Sequence, residues 1–167
     1  MRRLLLLFLF IPFFATAQSV NAIKEKTKNM KPYNGFFNFY WDDSTGKIWL
    51  EIDKLDSEIL YQTSLPAGLG SNDVGLDRGI MGTTYIVKFS RVGNKLLMIE
   101  PNYAYRAVSG DIAEKRAVEQ SFAQSTIWGF TIGAEGGGNI LVDATDFLLR
   151  DALQVSNRLQ NAKQGVY

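Results

Sequence analysis

Residues 65–101, LPAGLGSNDVGLDRGIMGTTYIVKFSRVGNKLLMIEP, join a glycine-rich loop to the clearest strand pattern of the chain. Residues 83–91 are rich in β-branched and aromatic side chains, and residues 95–100 form a second apolar run. Between the two runs, Gly93 and Asn94 tolerate the positive φ that a tight turn needs. Because both runs carry apolar residues on both faces, the pattern predicts a central hairpin that is covered on two sides.

The glycine-rich loop carries four polar residues, Asn72, Asp73, Asp77 and Arg78. Its glycine spacing matches neither of the phosphate-binding patterns G-x-G-x-x-G and G-x-x-x-x-G-K-[ST]. The three residues other than Arg78 are oxygen ligands for calcium, but the alternating order and the late glutamate of a calcium loop are missing. We interpret the four residues as candidates for binding a partner; the alternative is that Asp77 and Arg78 pair with each other.

Further hairpins are predicted on either side, at residues 36–53 and 127–143. Residues 47–53 alternate between apolar and charged side chains, but Trp49 falls on the polar side. Trp49 is therefore a fifth candidate for partner contact, unless it covers an edge of the sheet. Residues 36–41 contain five aromatic side chains, which suit either a carbohydrate platform or a core strand. The core strand is favoured because aromatic residues are mostly buried.

Helices are predicted near residues 111–124 and 144–162 from their apolar spacing. Asp111 precedes the first helix and has the position of an N-cap residue. Near the second helix we interpret the carboxylates as caps or exposed charges rather than catalytic groups, since no other acid, nucleophile or metal ligand accompanies them. These carboxylates are Asp143, Asp146 and Asp151.

Together these elements predict an α+β fold, in which two helices pack on an antiparallel sheet of hairpins. The hairpins are those at residues 36–53, 83–101 and 127–143. The 167 residues are enough for one domain with a substantial core.

The N-terminal residues have the pattern of a secretory signal peptide. Arg2 and Arg3 precede a short apolar run, and Ala15-Thr16-Ala17 provides a small-x-small cleavage site. The apolar run is too short to span a membrane. Cleavage after Ala17 removes two of 18 basic residues against 17 acidic ones, which leaves a net charge of −1. That charge argues against nucleic acid or an anionic membrane as a partner. Residues 18–32 are polar and are predicted to be a tether, with a short surface helix as the alternative.

The sequence contains no histidine and no cysteine. Imidazole-based zinc sites, Ser-His-Asp triads and thiol nucleophiles are therefore excluded for this chain, as are disulfides. We expect no catalytic residue, no metal ligand and no cofactor within it.

Several blocks resemble the N-terminal region of secreted zinc-dependent metalloproteases of Bacteroidota-like bacteria. They are NGFFNFYWDDSTGKIWLEIDKLDSEILYQTSLPAGLGSNDVGLDRG (34–79), RAVEQSFAQSTIWGF (116–130), ILVDATDFLLRDA (140–152) and KQGVY (163–167). The resemblance spans about residues 33–167 and implies a leading domain without assigned function, followed by a separate catalytic domain. The H-E-x-x-H zinc motif of that family has no counterpart here, because there is no histidine. No catalytic or metal residue is therefore transferred to this chain.

Two hypotheses follow. In the first, residues 33–167 are the N-terminal accessory or pro-region of an exported zinc metallopeptidase, truncated after Val166 and Tyr167. Its partner would be the downstream peptidase domain, which would hold the zinc. In the second hypothesis, the chain is an autonomous secreted module that binds a glycan or a protein.

Overall fold

The computed structural model describes residues 22–65, 67, 68, 70 and 73–163. The predicted signal peptide and the final residues 164–167 lie outside this part of the chain. Within it, eight strands and four short helices form. The strands are β1 (Lys31–Tyr33), β2 (Asn38–Asp42), β3 (Lys47–Ile52), β4 (Ile59–Ser64), β5 (Met81–Val92), β6 (Lys95–Glu100), β7 (Ser125–Gly136) and β8 (Asn139–Asp143). The helices are α1 (Ala22–Thr27), α2 (Ile112–Ser121), α3 (Thr145–Leu149) and α4 (Val155–Asn161).

All eight strands belong to one curled sheet in the order β1-β2-β3-β8-β7-β6-β5-β4, and every neighbouring pair is antiparallel. The three predicted hairpins are confirmed as β2–β3, β5–β6 and β7–β8. The antiparallel hairpins were thus predicted correctly from apolar runs, turn residues and, for residues 47–53, the alternation of side chains.

The prediction that the β5–β6 hairpin is central was wrong. Strands β8 and β7 occupy the middle of the sheet, and β5 is next to the edge strand β4. Strand β8 is buried on both faces, because its consecutive residues 140–142 are all buried and neighbouring side chains on a strand point to opposite faces. In contrast, Ile86 of β5 is 41% exposed, so only one face of β5 is covered.

The main core lies on one face of the sheet. It contains Phe89 from β5, Phe130 from β7 and Phe147 from α3, together with aliphatic residues from the intervening strands. The ring of Phe130 is 5.2 Å from that of Phe147 and 6.2 Å from that of Phe89, measured between centroids. Helix α3 therefore closes this face with a single large side chain.

A second, smaller core lies on the opposite face, under helix α1. It is formed by Ile23, Trp49 and Leu141. Trp49 is only 9% exposed, and the Lys26 ammonium lies 4.2 Å from the centre of its ring. The described part of the segment expected to be a tether thus begins as a helix with a buried residue, Ile23, rather than as solvated chain.

The expected packing of two helices on the sheet is not confirmed. Helix α2 forms with Asp111 as its N-cap, as predicted, but none of its residues is buried. The second predicted helix is divided into α3 and α4, because Gln154 has a left-handed backbone with φ 53°. Asp151 accepts hydrogen bonds from the backbone N–H groups of Val155 and Ser156, which starts α4 as a separate helix. None of the described helices is long and apolar enough to cross a bilayer.

Candidate functional site

A cleft of about 410 Å³ opens between the core face of the sheet and the segment that leads from α3 into α4. Its floor is formed by β4 and β5, and its far end by the adjoining ends of β6 and β7. The lining residues on the sheet are Tyr61, Thr63, Gly82, Thr83, Tyr85, Glu100 and Ile127. Arg150, Leu153 and Arg158 line the opposite side. The polar groups of this cleft make it the strongest candidate for a ligand site.

Arg150 is held in place on three sides. Its Nη1 donates a hydrogen bond to the Phe147 carbonyl, and its Nη2 donates one to the Tyr61 hydroxyl at 2.7 Å. The guanidinium carbon also lies 3.9 Å from the ring centre of Phe147 and 5.4 Å from that of Trp128. Stacking on aromatic faces is a typical environment for arginine, and it fixes the orientation of the remaining donors.

Arg158 connects helix α4 to the glycine-rich loop. Its Nε donates a hydrogen bond to the Leu153 carbonyl at 3.1 Å, and its Nη1 donates one to the Gly75 carbonyl at 2.6 Å. Gly75 has a φ of 67°, a backbone conformation that residues with a side chain rarely adopt. A Cβ atom here would also lie 2.8 Å from Nη1 of Arg158, so the end of that side chain would have to move. Glycine at this position thus suits both the turn and the contact with Arg158.

Gly82 keeps the cleft open on the side of β5. A Cβ atom at this position would lie 2.4 Å from Oγ1 of Thr63 and 3.0 Å from Cδ2 of Leu153. Any larger residue would have to displace both neighbours. The missing side chain thus allows α4 and its preceding turn to approach the edge of the sheet.

The charges of the cleft are unbalanced within the described ranges. Neither Arg150 nor Arg158 lies within 4.0 Å of a carboxylate, since the five ion pairs in this part of the chain involve other residues. Both arginines are half-buried, as is Glu100, the one acidic residue of the lining. The lining therefore carries two positive charges and one negative charge.

The candidate residues predicted from the sequence do not converge on one point. Asn72 lies outside the described residues. Asp73, Asp77 and Arg78 are all exposed, and no ion pair joins Asp77 to Arg78 in the described structure. The loop is anchored instead by the buried side chain of Leu76 and by the hydrogen bond from the Gly70 N–H to the Leu76 carbonyl.

Trp49 cannot serve as the predicted surface contact, because α1 and Leu141 cover its ring. Its indole Nε1 is buried and has no hydrogen-bond partner among the described residues. The alternation along β3 correctly placed this side chain on the face opposite to the main core. That face is not solvated at this point, however, and the prediction of an accessible tryptophan was wrong.

The residues present do not fit a zinc site. The sequence has neither histidine nor cysteine, and the described residues contain no group of three or more carboxylates that could hold a metal ion. Asp143 is engaged otherwise: it accepts hydrogen bonds from Lys47 Nζ at 2.7 Å and from the Thr145 hydroxyl at 2.6 Å. Burial favours its neutral form, but these contacts outweigh that effect and keep its pKa below the usual range.

Tyr40 shows the largest titration shift, and it lies outside the cleft. Burial is the main cause that raises its pKa to about 12, followed by the hydrogen bond from its hydroxyl to Glu51 at 2.7 Å and by the charge of that carboxylate. Glu51 also accepts a hydrogen bond from the Asn139 side chain at 2.6 Å. This network links β2, β3 and β8.

Apolar side chains are exposed at the end of the sheet that β4 and β5 form. Leu60 and Ile86 are cross-strand partners on β4 and β5, and they are 76% and 41% exposed. We call these two residues the β4–β5 apolar patch. A hollow of about 470 Å³ adjoins Ile86 and is also lined by Pro101, Tyr103 and Ala123. In the described residues no other strand pairs with the free edge of β4.

An exposed aromatic pair forms where α2 meets its preceding loop. The rings of Tyr105 and Phe122 are stacked, with centroids 3.9 Å apart and planes within 5° of parallel. They border a shallow hollow of about 260 Å³. Tyr105 is 54% exposed and Phe122 is 38% exposed.

Sequence reasoning missed Arg150 and Arg158 as site residues. They are eight positions apart on the chain, and their cleft is completed by strands that lie much earlier in the sequence. Only the DFLLRD context of Arg150, a lone cation after an apolar run, sets it apart from other basic residues. That signal also fits the end of an ordinary helix.

Comparison with known families gives two matches. Residues 79–167, slightly more than half of the chain, match a domain of unknown function, DUF5117, and residues 20–68 match another, DUF5118. Strands β1–β4 fall in the second match and β5–β8 in the first, so both matched segments contribute to the same sheet. No curated protein and no solved structure matches the chain.

Proposed function

Because this chain belongs to the DUF5117 family, whose description assigns no activity, we propose a function from its own sequence and surfaces. It is the non-catalytic N-terminal accessory region of a secreted zinc-dependent metallopeptidase, and it packs against the peptidase domain that follows. The zinc belongs to that downstream domain. The chain is exported and loses its signal peptide near Ala17.

The β4–β5 apolar patch is the observation that carries this proposal. Leu60 and Ile86 are neighbours at one edge of the sheet, and the adjoining hollow is lined by apolar and aromatic residues together with polar ones. Contiguous exposed apolar surface and an open strand edge are both features that proteins normally cover. A second domain of the same polypeptide is a natural cover, since it is always present at high local concentration.

The composition supports a non-catalytic role. A zinc peptidase needs imidazole or carboxylate ligands held around the metal and a general base beside it. This chain has no imidazole, and three of its carboxylates are engaged otherwise: Asp42 in a turn, Asp143 in an ion pair and Asp151 as a helix cap. We therefore place the chemistry in the domain that follows.

The test is a binding experiment in trans. The present chain and the segment encoded directly downstream are produced separately and mixed, and complex formation is measured by calorimetry and size-exclusion chromatography. We expect Leu60→Lys and Ile86→Lys to abolish binding, because each places a charge in the interface. Val108→Lys is the matched control, since Val108 is 91% exposed and lines neither the patch nor the adjoining hollow.

Two results would contradict the accessory role. One is a reading frame that stops directly after Tyr167. The other is a monomeric chain with no affinity for the downstream segment. Equal loss of binding in the Val108→Lys control would show that the patch is not the interface.

A second candidate function is favoured by the stacked pair Tyr105 and Phe122. Exposed aromatic faces beside a hollow are common in surfaces that bind sugars or proteins, because they contribute a large contact area at low entropic cost. In this view the chain is an autonomous secreted module that binds a glycan or a protein. Retention on an immobilised polysaccharide that is lost in Tyr105→Ala but kept in Leu60→Lys would favour it over the accessory role.

A further inference from the structure

We propose that Arg150 and Arg158 form a binding site for the carboxylate group of an extended peptide. The site is the cleft between β4, β5 and the α3–α4 segment. The ligand group is either the free C-terminal carboxylate of a peptide or the side-chain carboxylate of an acidic residue. The proposal does not depend on the accessory role, since neither arginine lines the hollow beside the β4–β5 apolar patch.

Both guanidinium groups are oriented but incompletely used. Arg150 donates to the Phe147 carbonyl and the Tyr61 hydroxyl, and Arg158 donates to two backbone carbonyls. Each arginine therefore uses two of its donors and keeps others free within the described structure. Because neutral acceptors hold both side chains, neither guanidinium forms an ion pair within the described structure, and Glu100 offsets only one of the two positive charges of the lining.

A half-buried cation without a counter-ion gains more from an anionic ligand than an exposed one does. Solvent screens the pair less, and the side chains are already ordered, so little further entropy is lost on binding. The planar fork of a guanidinium matches a carboxylate in a bidentate arrangement. These arguments identify the chemistry of the ligand as that of a planar or tetrahedral oxyanion.

Glu100 selects a monoanion among these ligands. It is the acidic residue of the same lining, which leaves one net positive charge in the cleft. A phosphate carries a charge of about −1.5 to −2 at neutral pH, so Glu100 repels it more than it repels a carboxylate. Glu100 would also form an ion pair with the ammonium group of a zwitterionic ligand.

The rest of the lining suits a peptide. Thr63 and Thr83 provide hydroxyl groups, while Ile127 and Leu153 provide apolar surface for a side chain. The cleft volume of about 410 Å³ lies within the range of sites for small ligands. Polar contacts would thus fix the orientation of the chain while the apolar residues accept one side chain.

The experiment is calorimetric titration of the full chain with defined probes. These are N-acetyl-Ala-Ala-Ala with a free carboxylate, its C-terminal amide, N-acetyl-Ala-Glu-Ala-amide and inorganic phosphate. We expect at least one of the two carboxylate peptides to bind about tenfold more tightly than the uncharged amide, because the amide cannot form charged hydrogen bonds with the two arginines. Which of the two binds identifies the source of the carboxylate.

Variants connect the binding to the two arginines. Arg150→Gln and Arg158→Gln should each weaken the preferred peptide about tenfold or more. Arg116→Gln is the matched control, because Arg116 is exposed on α2 and should leave the affinity unchanged. Circular dichroism confirms that each variant folds. If a glutamine variant does not fold, the lysine replacement at the same position keeps the charge but loses the fork, and it should still weaken binding.

Three outcomes would overturn the proposal. The first is that no probe binds the wild-type chain at concentrations up to about 10 mM, since a specific site should have a Kd below that value. The second is that the Arg150→Gln and Arg158→Gln variants bind the preferred peptide as tightly as the Arg116→Gln variant does. The third is that phosphate binds as tightly as the preferred peptide, which would exclude selection of a monoanion by Glu100.

Discussion

Replacing Gly133 with alanine should force apart the second core of the protein. Gly133 lies on β7, and a Cβ atom at this position would be 2.3 Å from Cζ3 of Trp49 and 3.1 Å from Cη2. Non-bonded carbon atoms normally approach to about 3.5–4.0 Å, so the indole ring must retreat by more than about 1 Å. It has little room to do so, because Ile23 and Leu141 pack on it.

The expected cost is about 1–3 kcal/mol in the free energy of unfolding, as for other over-packed cores. Urea unfolding followed by circular dichroism measures it. Gly129→Ala is the matched control on the same strand, since its Cβ would meet only Cδ2 of Leu97 at 3.4 Å. That contact is close to ordinary, and we expect a change within about 0.5 kcal/mol.

A double-mutant cycle identifies the clash as the cause. In a Trp49→Leu background the indole ring is absent, so Gly133→Ala should lose most of its penalty. The reasoning would be refuted if Gly133→Ala cost no more than Gly129→Ala. It would also be refuted if the penalty persisted unchanged in the Trp49→Leu background.

Four further predictions concern the core, the caps, titration and zinc. Phe89→Ala should cost about 3–5 kcal/mol in urea unfolding, because this core side chain leaves a cavity; a change within error would contradict its burial. Asp151→Ala should lower stability by about 1 kcal/mol through the lost cap of α4, whereas Asp111→Ala should hardly alter global unfolding, because α2 has no buried residue. Because the pKa of Tyr40 is raised from 10.0 to about 12, the unfolded chain loses this proton first as the pH rises. The stability that this tyrosine contributes below pH 10.0 is therefore lost as the pH rises to about 12. In urea unfolding at a series of pH values, Tyr40→Phe should remove that part of the loss. The purified chain should neither bind zinc tightly nor hydrolyse casein, and chelator-sensitive cleavage would refute this.

Local patterns predicted the hairpins well because strand alternation and turn residues act over a few positions. In β3, for example, alternation placed Ile52 in the core and Trp49 on the other face, as the structure has them. The pattern could not show that α1 covers Trp49. A residue on the polar side of a strand is exposed only when nothing else packs there, and that depends on the remainder of the chain.

Helix α2 shows a second limit of prediction from sequence, which concerns packing rather than exposure. Its apolar spacing predicted packing on the sheet, and the helix forms with its expected N-cap, yet only Val118 is half-buried among its residues. Amphipathic spacing identifies the face that a helix could bury, but the surface that receives it must come from elsewhere. The arginine cleft was beyond sequence analysis for the same reason, because its two sides meet only through tertiary structure.

The order of strands has a consequence for synthesis from the ribosome. β1, β2 and β3 emerge first, but the inner edge of β3 is paired by β8, and the hydrogen bond between Glu51 and Asn139 joins residues 88 positions apart. The nascent meander therefore waits with an unpaired edge until nearly all of the sheet has been translated. Such distant pairing slows folding and leaves an aggregation-prone intermediate with an unpaired strand edge. We therefore expect a chaperone to bind this chain before residue 139 emerges.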